Sequence, residues 1–234
     1  MIKVRLIDDI KSNYESFEKI VDHDKIIILD CSYNQLTFLP ESIGCLINLK
    51  KLICNNNQLK TLPTSINNLI NLEEFNCSNN QLVELPKMNN LIKLQKLYCY
   101  HNQLVKLSKS IGSLINLQIF YCSYNRLTKL PRTIGNLTSL HNFYCYCNQL
   151  TSLPESISQL TNLEELYCDE NQLIKLPKMI GNLTNLQKFH CNNNNLTFLP
   201  DSITTLANLE RLYCHCNQLI ELPNKVYRLL GCKL

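Results

Sequence analysis

One asparagine recurs along almost the whole chain at a spacing that hardly varies. Successive Asn-x-Leu steps lie 23 residues apart, except for one step of 22, and a cysteine stands three residues before each asparagine. The nine asparagines are Asn34, Asn57, Asn80, Asn102, Asn125, Asn148, Asn171, Asn194 and Asn217, and nine of the thirteen cysteines occupy the matching position. Such a period is the signature of a repeat architecture, in which a unit buries its apolar side only against its neighbours. We number the repeats 1 to 9 by these asparagines.

Within one repeat, the apolar spacing changes from that of a strand to a longer one. Residues 49–72 read LKKLICNNNQLKTLPTSINNLINL, which gives the pattern LxxLxCxxNxLxxLPxxIxxLxNL. The second leucine and the cysteine share a parity, so they point to one face of a strand while the residues beside them point to the other. After Asn-x-Leu the spacing lengthens to three, and a proline, which cannot donate a backbone hydrogen bond, marks a turn. Each repeat is therefore predicted to be a short strand followed by a return segment.

This pattern resembles the leucine-rich repeat, and specifically its 23-residue class with LPxxI in the second half, as in Ras-suppressor-like intracellular proteins. The resemblance extends over about residues 26–230. The Asn- and Tyr-rich composition of the repeats is also similar to that of repeat proteins encoded by giant DNA viruses. The family resemblance implies an α/β solenoid, a leucine-rich repeat horseshoe with a concave parallel β-sheet and short helical or irregular convex segments. At about 4.8 Å per strand, nine strands would line a face of roughly 40 Å.

Residues 1–25 lie outside the repeat and are predicted to be an N-terminal cap. Residues 12–15, SNYE, have the spacing of a capping box, and Phe17, Ile20 and Val21 follow on one helical face. We therefore expect a short amphipathic helix that closes the first repeat.

The remaining residues, 26–234, are predicted to be one leucine-rich repeat domain with nine repeats and a partial tenth. In that partial repeat Val226, Leu229 and Cys232 keep the apolar positions, but no polar terminal cap follows. The last strand edge, near 209–216, is therefore expected to be open to self-association.

The repeated cysteines are predicted to be buried, reduced thiols. A free cysteine behaves as a small buried hydrophobe. The spacing of parallel strands permits disulfides between the cysteines of neighbouring repeats. However, in-register side chains point alongside each other, and nine cysteines cannot all form pairs. The pairs Cys99/His101 and His190/Cys191 and the run at 214–216 lack the about four converging ligands of a zinc site. We therefore predict neither a metal nor a cofactor.

The nine asparagines are also predicted to be structural. A side-chain amide both donates and accepts hydrogen bonds. A buried column of amides can therefore satisfy the backbone groups where each strand turns away from the sheet.

Composition and missing motifs exclude several function classes. The net charge of +4 and a charged fraction of 18% fall short of a dedicated nucleic-acid binder. No apolar run approaches the roughly 20 residues that span a bilayer, and the first residues alternate apolar and charged types, unlike a signal peptide. No nucleophile elbow, phosphate loop or paired-carboxylate motif is present. The sequence thus predicts a cytoplasmic protein that is not an enzyme and binds no specific nucleic acid and no membrane.

The outward face of the predicted sheet carries the candidate site. The outward residue between leucine and cysteine is tyrosine in four consecutive repeats, and acidic residues gather around the last of these tyrosines. Tyrosine offers rigid apolar area with a polar tip, which suits a binding surface. The alternative is an aromatic ladder that only stabilises the sheet. The predicted partner-binding residues are Tyr98, Tyr100, Tyr121, Tyr144, Tyr146, Tyr167, His190, Tyr213, Glu165 and Asp169.

We therefore expect a protein–protein interaction module, an adaptor or scaffold, that binds a partner protein or peptide of unknown identity on its concave face. Signalling and host interaction are the settings that the family resemblance suggests. The alternative is a structural or assembly protein that forms a homo-oligomer through its C-terminal edge. Lysine and arginine side chains on the return segments are a further candidate surface, although a solvated face explains them as well.

Overall fold

The chain forms a solenoid with one continuous sheet along its length, as predicted. The structure, a computed structural model, describes residues 2–6, 11–14, 16–21 and 23–223. The strands are β1 (Ile2–Leu6), β2 (Lys11–Tyr14), β3 (Ile26–Asp30), β4 (Lys51–Ile53), β5 (Glu74–Asn76), β6 (Lys96–Tyr98), β7 (Ile119–Tyr121), β8 (Asn142–Tyr144), β9 (Glu165–Tyr167), β10 (Lys188–His190) and β11 (Arg211–Tyr213). In the sheet, β3 to β11 follow one another in chain order and are parallel, and β1 and β2 extend the sheet beyond β3.

Short 3₁₀-helices lie in the return segments of repeats 1, 2 and 4 to 8, the return of repeat 3 has only turns, and a further 3₁₀-helix precedes β3. The 3₁₀-helices are η1 (Phe17–Lys19), η2 (Glu41–Cys45), η3 (Thr64–Asn68), η4 (Lys109–Ser113), η5 (Arg132–Asn136), η6 (Glu155–Gln159), η7 (Ile180–Asn182) and η8 (Asp201–Thr205). Proline precedes η2, η3, η5, η6 and η8 with an extended backbone, and Ser108 takes its place before η4. The predicted mixture of strand and short helical return is therefore confirmed.

The middle residue of each short strand and the cysteine two positions later form the core. Leu97 pairs in register with Phe120, and Phe120 with Phe143. The rings of Phe120 and Phe143 stack at a centroid distance of 5.4 Å. These side chains, Cys99 and Cys122 have no exposed surface. The predicted inward parity of leucine and cysteine is confirmed, since all nine ladder cysteines are buried.

The asparagine of each repeat joins two neighbouring repeats. The side-chain nitrogen of Asn125 donates to the carbonyl oxygens of Cys122 (3.1 Å), Ser123 (3.1 Å) and, one repeat back, Cys99 (3.1 Å). Its side-chain oxygen accepts a hydrogen bond from the backbone N–H of Leu104 at 2.9 Å. The predicted structural role of these asparagines is thus confirmed.

A second asparagine column lies on the return side. The asparagine of the LxNL segment donates to a carbonyl oxygen of the preceding repeat, as Asn71 does to Ile47 (2.9 Å) and Asn162 to Thr138 (2.9 Å). The recurring asparagine of LxNL was visible in the sequence pattern, but its partner was not.

Glycines let neighbouring return segments approach closely. A Cβ built on Gly112 would lie 2.5 Å from the carbonyl oxygen of Thr133, and one on Gly135 would lie 2.4 Å from that of Ser156. Both distances are shorter than real Cβ contacts, so any larger side chain would push the two segments apart.

The predicted amphipathic helix near the N-terminus is wrong. Residues 12–14, assigned to its capping box, lie in β2, and among the described residues before β3 helical structure is confined to the short turn η1. β1 pairs antiparallel with both β2 and β3, which covers the edge of the first repeat strand. Pairing unsatisfied backbone groups along that edge outweighs a capping signal worth about 1 kcal/mol. The alternation in IKVRL, at the start of the chain, was the sequence signal for a strand.

At the other end, β11 is the last strand of the described sheet. The apolar positions Val226, Leu229 and Cys232, predicted to begin a tenth repeat, lie outside the described residues. Self-association through this edge therefore stays a prediction.

Candidate partner-binding face

The outward residues of the parallel strands form one row across the concave sheet. In-register pairing places Tyr98 beside Tyr121, and Tyr144 beside Tyr167. The row continues through Tyr121 and Tyr144 in the middle and through His190 and Tyr213 at the end. A second row, directly after the cysteines, contains Ser78, Tyr100, Ser123, Tyr146, Asp169, Asn192 and His215. The sequence thus predicted correctly which candidate residues lie side by side.

The rings of the first row pack on one another. Tyr121 and Tyr144 stack with centroids 4.1 Å apart, and Tyr167 stacks on His190 at 3.8 Å. Tyr144 meets Tyr167 edge-on, at 82° and 4.8 Å. This packing leaves most of the predicted site residues half-buried, and the aromatic ladder that was the alternative to a binding surface exists in part.

One member of the predicted exposed stripe is not exposed. Tyr144 is only 8% accessible because Tyr121 and Tyr167 cover its ring, and its hydroxyl donates a hydrogen bond to Glu165. Burial, then the bond to Glu165, raises the pKa of Tyr144 above its ordinary value. Tyr144 is therefore a fixed, buried wall of this face, whereas Tyr121 and Tyr167 on either side of it remain partly exposed.

A cavity of about 610 Å³ opens between the two rows in repeats 3 to 6. Its lining residues are Glu74, Asn76, Tyr98, Tyr100, His101, Ile119, Tyr121, Tyr124, Asn142, Tyr144 and Tyr146. Glu74, Ile119 and Asn142 were missing from the predicted site. They stand just before the buried middle residue of each strand, two residues before the outward position that was used for the prediction. Because alternate residues of a strand face the same way, strand parity would have found them.

A smaller cavity of about 350 Å³ lies beside the first and is called here the Asp169 pocket. It is lined by Tyr121, Tyr144, Tyr146, Tyr167 and Asp169. One carboxylate oxygen of Asp169, Oδ1, is buried and has no hydrogen-bond partner within the described structure. Burial, together with the charge of Glu170, raises the pKa of Asp169 from 3.8 to about 6. The pocket thus combines aromatic walls with a carboxylate that the fold leaves poorly satisfied.

The predicted acidic residues do not all remain available to a partner. Glu165 forms an ion pair with Lys188 at 2.7 Å and accepts the hydroxyl of Tyr144. Burial opposes its ionisation, but these two hydrogen bonds outweigh burial and lower its pKa. Glu165 therefore organises the face from within, whereas Asp169 keeps an unpartnered oxygen.

A third column, at the bend after the second row, has a left-handed backbone. The φ angles lie between 50° and 56° at Tyr33, Asn56, Asn79, His101, Tyr124, Cys147, Glu170, Asn193 and Cys216. Asparagine tolerates this conformation better than most side chains do. Repeats 2, 3 and 8 use asparagine, whereas repeats 1, 4 to 7 and 9 place other residue types there. In these repeats the bend therefore holds side chains that its backbone does not favour.

The cysteine–histidine runs give no sign of a metal centre. Cys214 is buried, whereas His215 and Cys216 are exposed. Within the described ranges, no three histidine, cysteine or acidic side chains converge on a point that could hold a metal ion. In the same residues, no helix has both the length and the apolar composition to cross a membrane.

Comparison with known proteins places these features in a family. The description "Leucine-rich repeat region" matches residues 74–172 and 99–195, which together are more than half of the chain, and further leucine-rich repeat matches cover 184–225 and 25–46. A search of curated proteins found no match.

Solved structures similar to this chain include bacterial and plant proteins. A leucine-rich repeat protein of Leptospira interrogans is 33% identical over 94% of this chain and 68% of its own, with a TM-score of 0.64. The functional domain of InlJ from Listeria monocytogenes, which includes a cysteine ladder, is 28% identical over 87% of this chain and 47% of its own, with a TM-score of 0.72.

The plant peptide hormone receptor RGFR1, solved in complex with RGF2, is 31% identical over 85% of this chain, with a TM-score of 0.76. This chain spans only 33% of that receptor chain. The repeat pattern, the solenoid and these matches together show that the chain belongs to the leucine-rich repeat family.

Proposed function

We propose that this chain is a non-enzymatic interaction module of the cytoplasm that binds a partner polypeptide on its concave face, centred on repeats 4 to 7. One observation carries the proposal. The run of four tyrosines in repeats 4 to 7 overlaps both concave cavities, which together extend over repeats 3 to 7, whereas the corresponding strand positions of the first three repeats hold Asp30, Ile53 and Asn76. A structural ladder alone would not require this concentration.

The size and chemistry of the surface support a polypeptide ligand. The cavity of about 610 Å³ is open, shallow and lined by tyrosine hydroxyls, amides and a carboxylate, so it offers hydrogen bonds along an extended chain. The receptor RGFR1 was solved in complex with RGF2, a precedent for a partner bound by a member of this family. The more specific proposal is that the chain acts as an adaptor, as Ras-suppressor-like proteins do, in signalling or host interaction.

The test replaces two concave residues of repeat 4 by the residues at the same positions of repeat 3. Tyr98→Asn with Tyr100→Ser copies Asn76 and Ser78 of repeat 3, so the fold already accepts both residues in the adjoining rung. The matched control, Lys109→Thr with Lys129→Ser, copies residues of other repeats onto the return side. Wild-type and variant chains serve as baits for quantitative capture of partners from lysate of the producing cells.

We expect one or more partners that bind wild type and control equally and bind the concave variant at least about tenfold more weakly, as hot-spot residues would require. Loss of capture by the return-side variant alone would move the site to the convex surface. If all three baits behave alike while remaining folded, the concave face is not the binding surface.

Assembly of copies through β11 is the second candidate, because β10 is the only neighbour of β11 in the described sheet. Mass measurement in solution separates the two. A concentration-dependent dimer that persists in the concave variant would favour assembly.

A further inference from the structure

The Asp169 pocket differs from the rest of the concave face in having walls that are held in place. Tyr144 is fixed by its hydrogen bond to Glu165 and by stacking on Tyr121 at 4.1 Å. Tyr167 is fixed by stacking on His190 at 3.8 Å. The two fixed rings stand at 82° to each other, so they form a corner before any ligand arrives. Fixed walls lower the entropy lost on binding.

The charge inside this corner is negative and only partly balanced. Oδ1 of Asp169 has no hydrogen-bond partner among the residues that the structure describes, and the charge of neighbouring Glu170 adds to the negative charge there. Lys188, the basic residue of the next strand, is paired with Glu165 at 2.7 Å. His215 also acts on Asp169 and favours its ionised form. The pocket therefore presents a carboxylate whose burial has not been offset by a full ion pair.

An organic ammonium group satisfies both features at once. The faces of aromatic rings attract a cation within about 6 Å, and a nearby carboxylate supplies the counter-charge. Because Tyr121 and Tyr167 cover Tyr144, an ammonium contacts the open parts of the Tyr146 and Tyr167 rings, which a compact group can reach, whereas a planar guanidinium needs a whole ring face on which to lie flat. We propose that the Asp169 pocket binds the ammonium end of a lysine side chain, and this subsite rests on the proposed function because the lysine belongs to the partner polypeptide.

The longest uninterrupted run of bends without asparagine lies in repeats 4 to 7, which include the repeats of the pocket. Tyr124, Cys147 and Glu170 stand at left-handed positions where Asn56, Asn79 and Asn193 occur in other repeats. Folding does not require these residue types, since the same bend forms with asparagine. Residues that cost stability and cluster beside a pocket are characteristic of a functional site.

The experiment uses the whole chain and two small probes that differ only in the ammonium group. Nα-acetyl-lysine methylamide carries the ammonium, and N-acetyl-norleucine methylamide has the same carbon chain with a hydrogen atom in its place. Each is titrated at about pH 7.5 while amide resonances are followed by NMR, since Asp169, with a pKa of about 6, is then ionised. We expect saturable shifts near residues 144–146 and 167–169 with the lysine probe and none with norleucine.

Substitutions that copy residues from other repeats of the chain test whether the lysine probe binds in the Asp169 pocket. Asp169→Asn, which copies Asn192, and Tyr146→Ser, which copies Ser123, should each weaken the lysine probe about tenfold, about 1.4 kcal/mol. Glu84→Gln changes net charge by the same amount on the return side and should have no effect. An arginine probe should bind more weakly than lysine.

Equal binding of the two probes, no saturable shift, or unchanged binding by Asp169→Asn would overturn the proposal, and a tighter arginine probe would contradict the assignment to an ammonium. These outcomes are separable from failure of the proposed function, because Tyr98 and Tyr100 do not line the Asp169 pocket. If partner capture depends on Tyr98 and Tyr100 but no amine binds, only the lysine subsite is wrong. If the amine binds but capture ignores every concave variant, the partner site is wrong and the amine site stands.

Discussion

The buried asparagine ladder and the concave face of repeats 4 to 7 occupy the same rungs but follow different rules. Inside, every repeat uses the same side chain, and each amide is fully hydrogen-bonded, as Asn125 is. In the second concave row the residue type changes from repeat to repeat, and one oxygen of Asp169 has no hydrogen-bond partner among the described residues. Uniform, satisfied positions hold the solenoid together, whereas varied and costly positions are where a function can reside.

Thiol reactivity should show the largest contrast between the two regions. Burial raises the pKa of Cys122 well above its ordinary value and removes its sulfur from solvent, while Cys45 and Cys216 are exposed. We expect Cys122 and the other ladder cysteines to react with a thiol reagent at least about a hundredfold more slowly than the exposed pair, because reaction requires local opening. Mass spectrometry of time-resolved labelling measures this. Labelling of Cys122 as fast as Cys216 in the folded protein would refute the buried ladder.

Removing one ladder amide should cost more stability than any single change on the surface. Asn125→Ala leaves several buried backbone groups without partners, so we expect a loss of about 3 kcal/mol in the free energy of unfolding. Lys129→Ala, on the exposed return side, should change it by less than about 0.5 kcal/mol. Denaturant midpoints compare the two. Equal midpoints would mean that inside and outside are wrongly assigned.

Tyr144 belongs to both regions, because it lies on the concave face but is buried like a core residue. Tyr144→Phe removes the hydroxyl that bonds to the Glu165 carboxylate, and we expect a loss of about 1.5 kcal/mol. Tyr33→Phe is the control, since Tyr33 is 75% exposed. Chemical denaturation measures both. An unchanged free energy of unfolding for Tyr144→Phe would show that the position of this ring does not depend on the hydrogen bond to Glu165.

Asp169→Asn should instead stabilise the fold near neutral pH. Because the pKa rises from 3.8 in its ordinary environment to about 6, the folded protein keeps a proton that the unfolded chain has lost between those pH values. Stability contributed by this group is therefore full below about pH 4 and falls as pH rises to about 6. The gain for asparagine above that window should be roughly 1 kcal/mol, since solvent screens a half-buried carboxylate. Unfolding of both proteins across this pH range checks the sign, and a destabilised Asp169→Asn would contradict it.

The smallest effect is expected at the bends. Tyr124→Asn or Glu170→Asn relieves a left-handed residue that disfavours this backbone, and each should add about 0.5 kcal/mol. The reverse change, Asn79→Glu, should remove a similar amount. Thermal unfolding resolves such differences when the variants are combined, and a loss of stability in the asparagine variants would show that these side chains stabilise the bend.

Periodic features were predictable from the sequence, and features that depend on contacts between rungs were not. The parity of Leu97 and Cys99 and the role of Asn125 follow from a pattern repeated nine times. The burial of Tyr144 does not, because it depends on the rings of Tyr121 and Tyr167 and on the hydroxyl's partner one repeat later. The N-terminal strands were missed because a local capping signal was weighed without the sheet edge that β1 covers.

The close approach at Gly112 and Gly135 bears on the curvature of the solenoid. Hydrogen bonding sets the rung spacing on the concave side at about 4.8 Å, so the bend of the arc depends on how far apart the convex segments stand. Glycine shortens that outer arc, which straightens the superhelix and widens the mouth of the groove. A methyl group at Gly112 would force the segment at Thr133 outward and tighten the arc locally. The glycines on the back of the molecule thereby set the radius to which any ligand in the groove must conform.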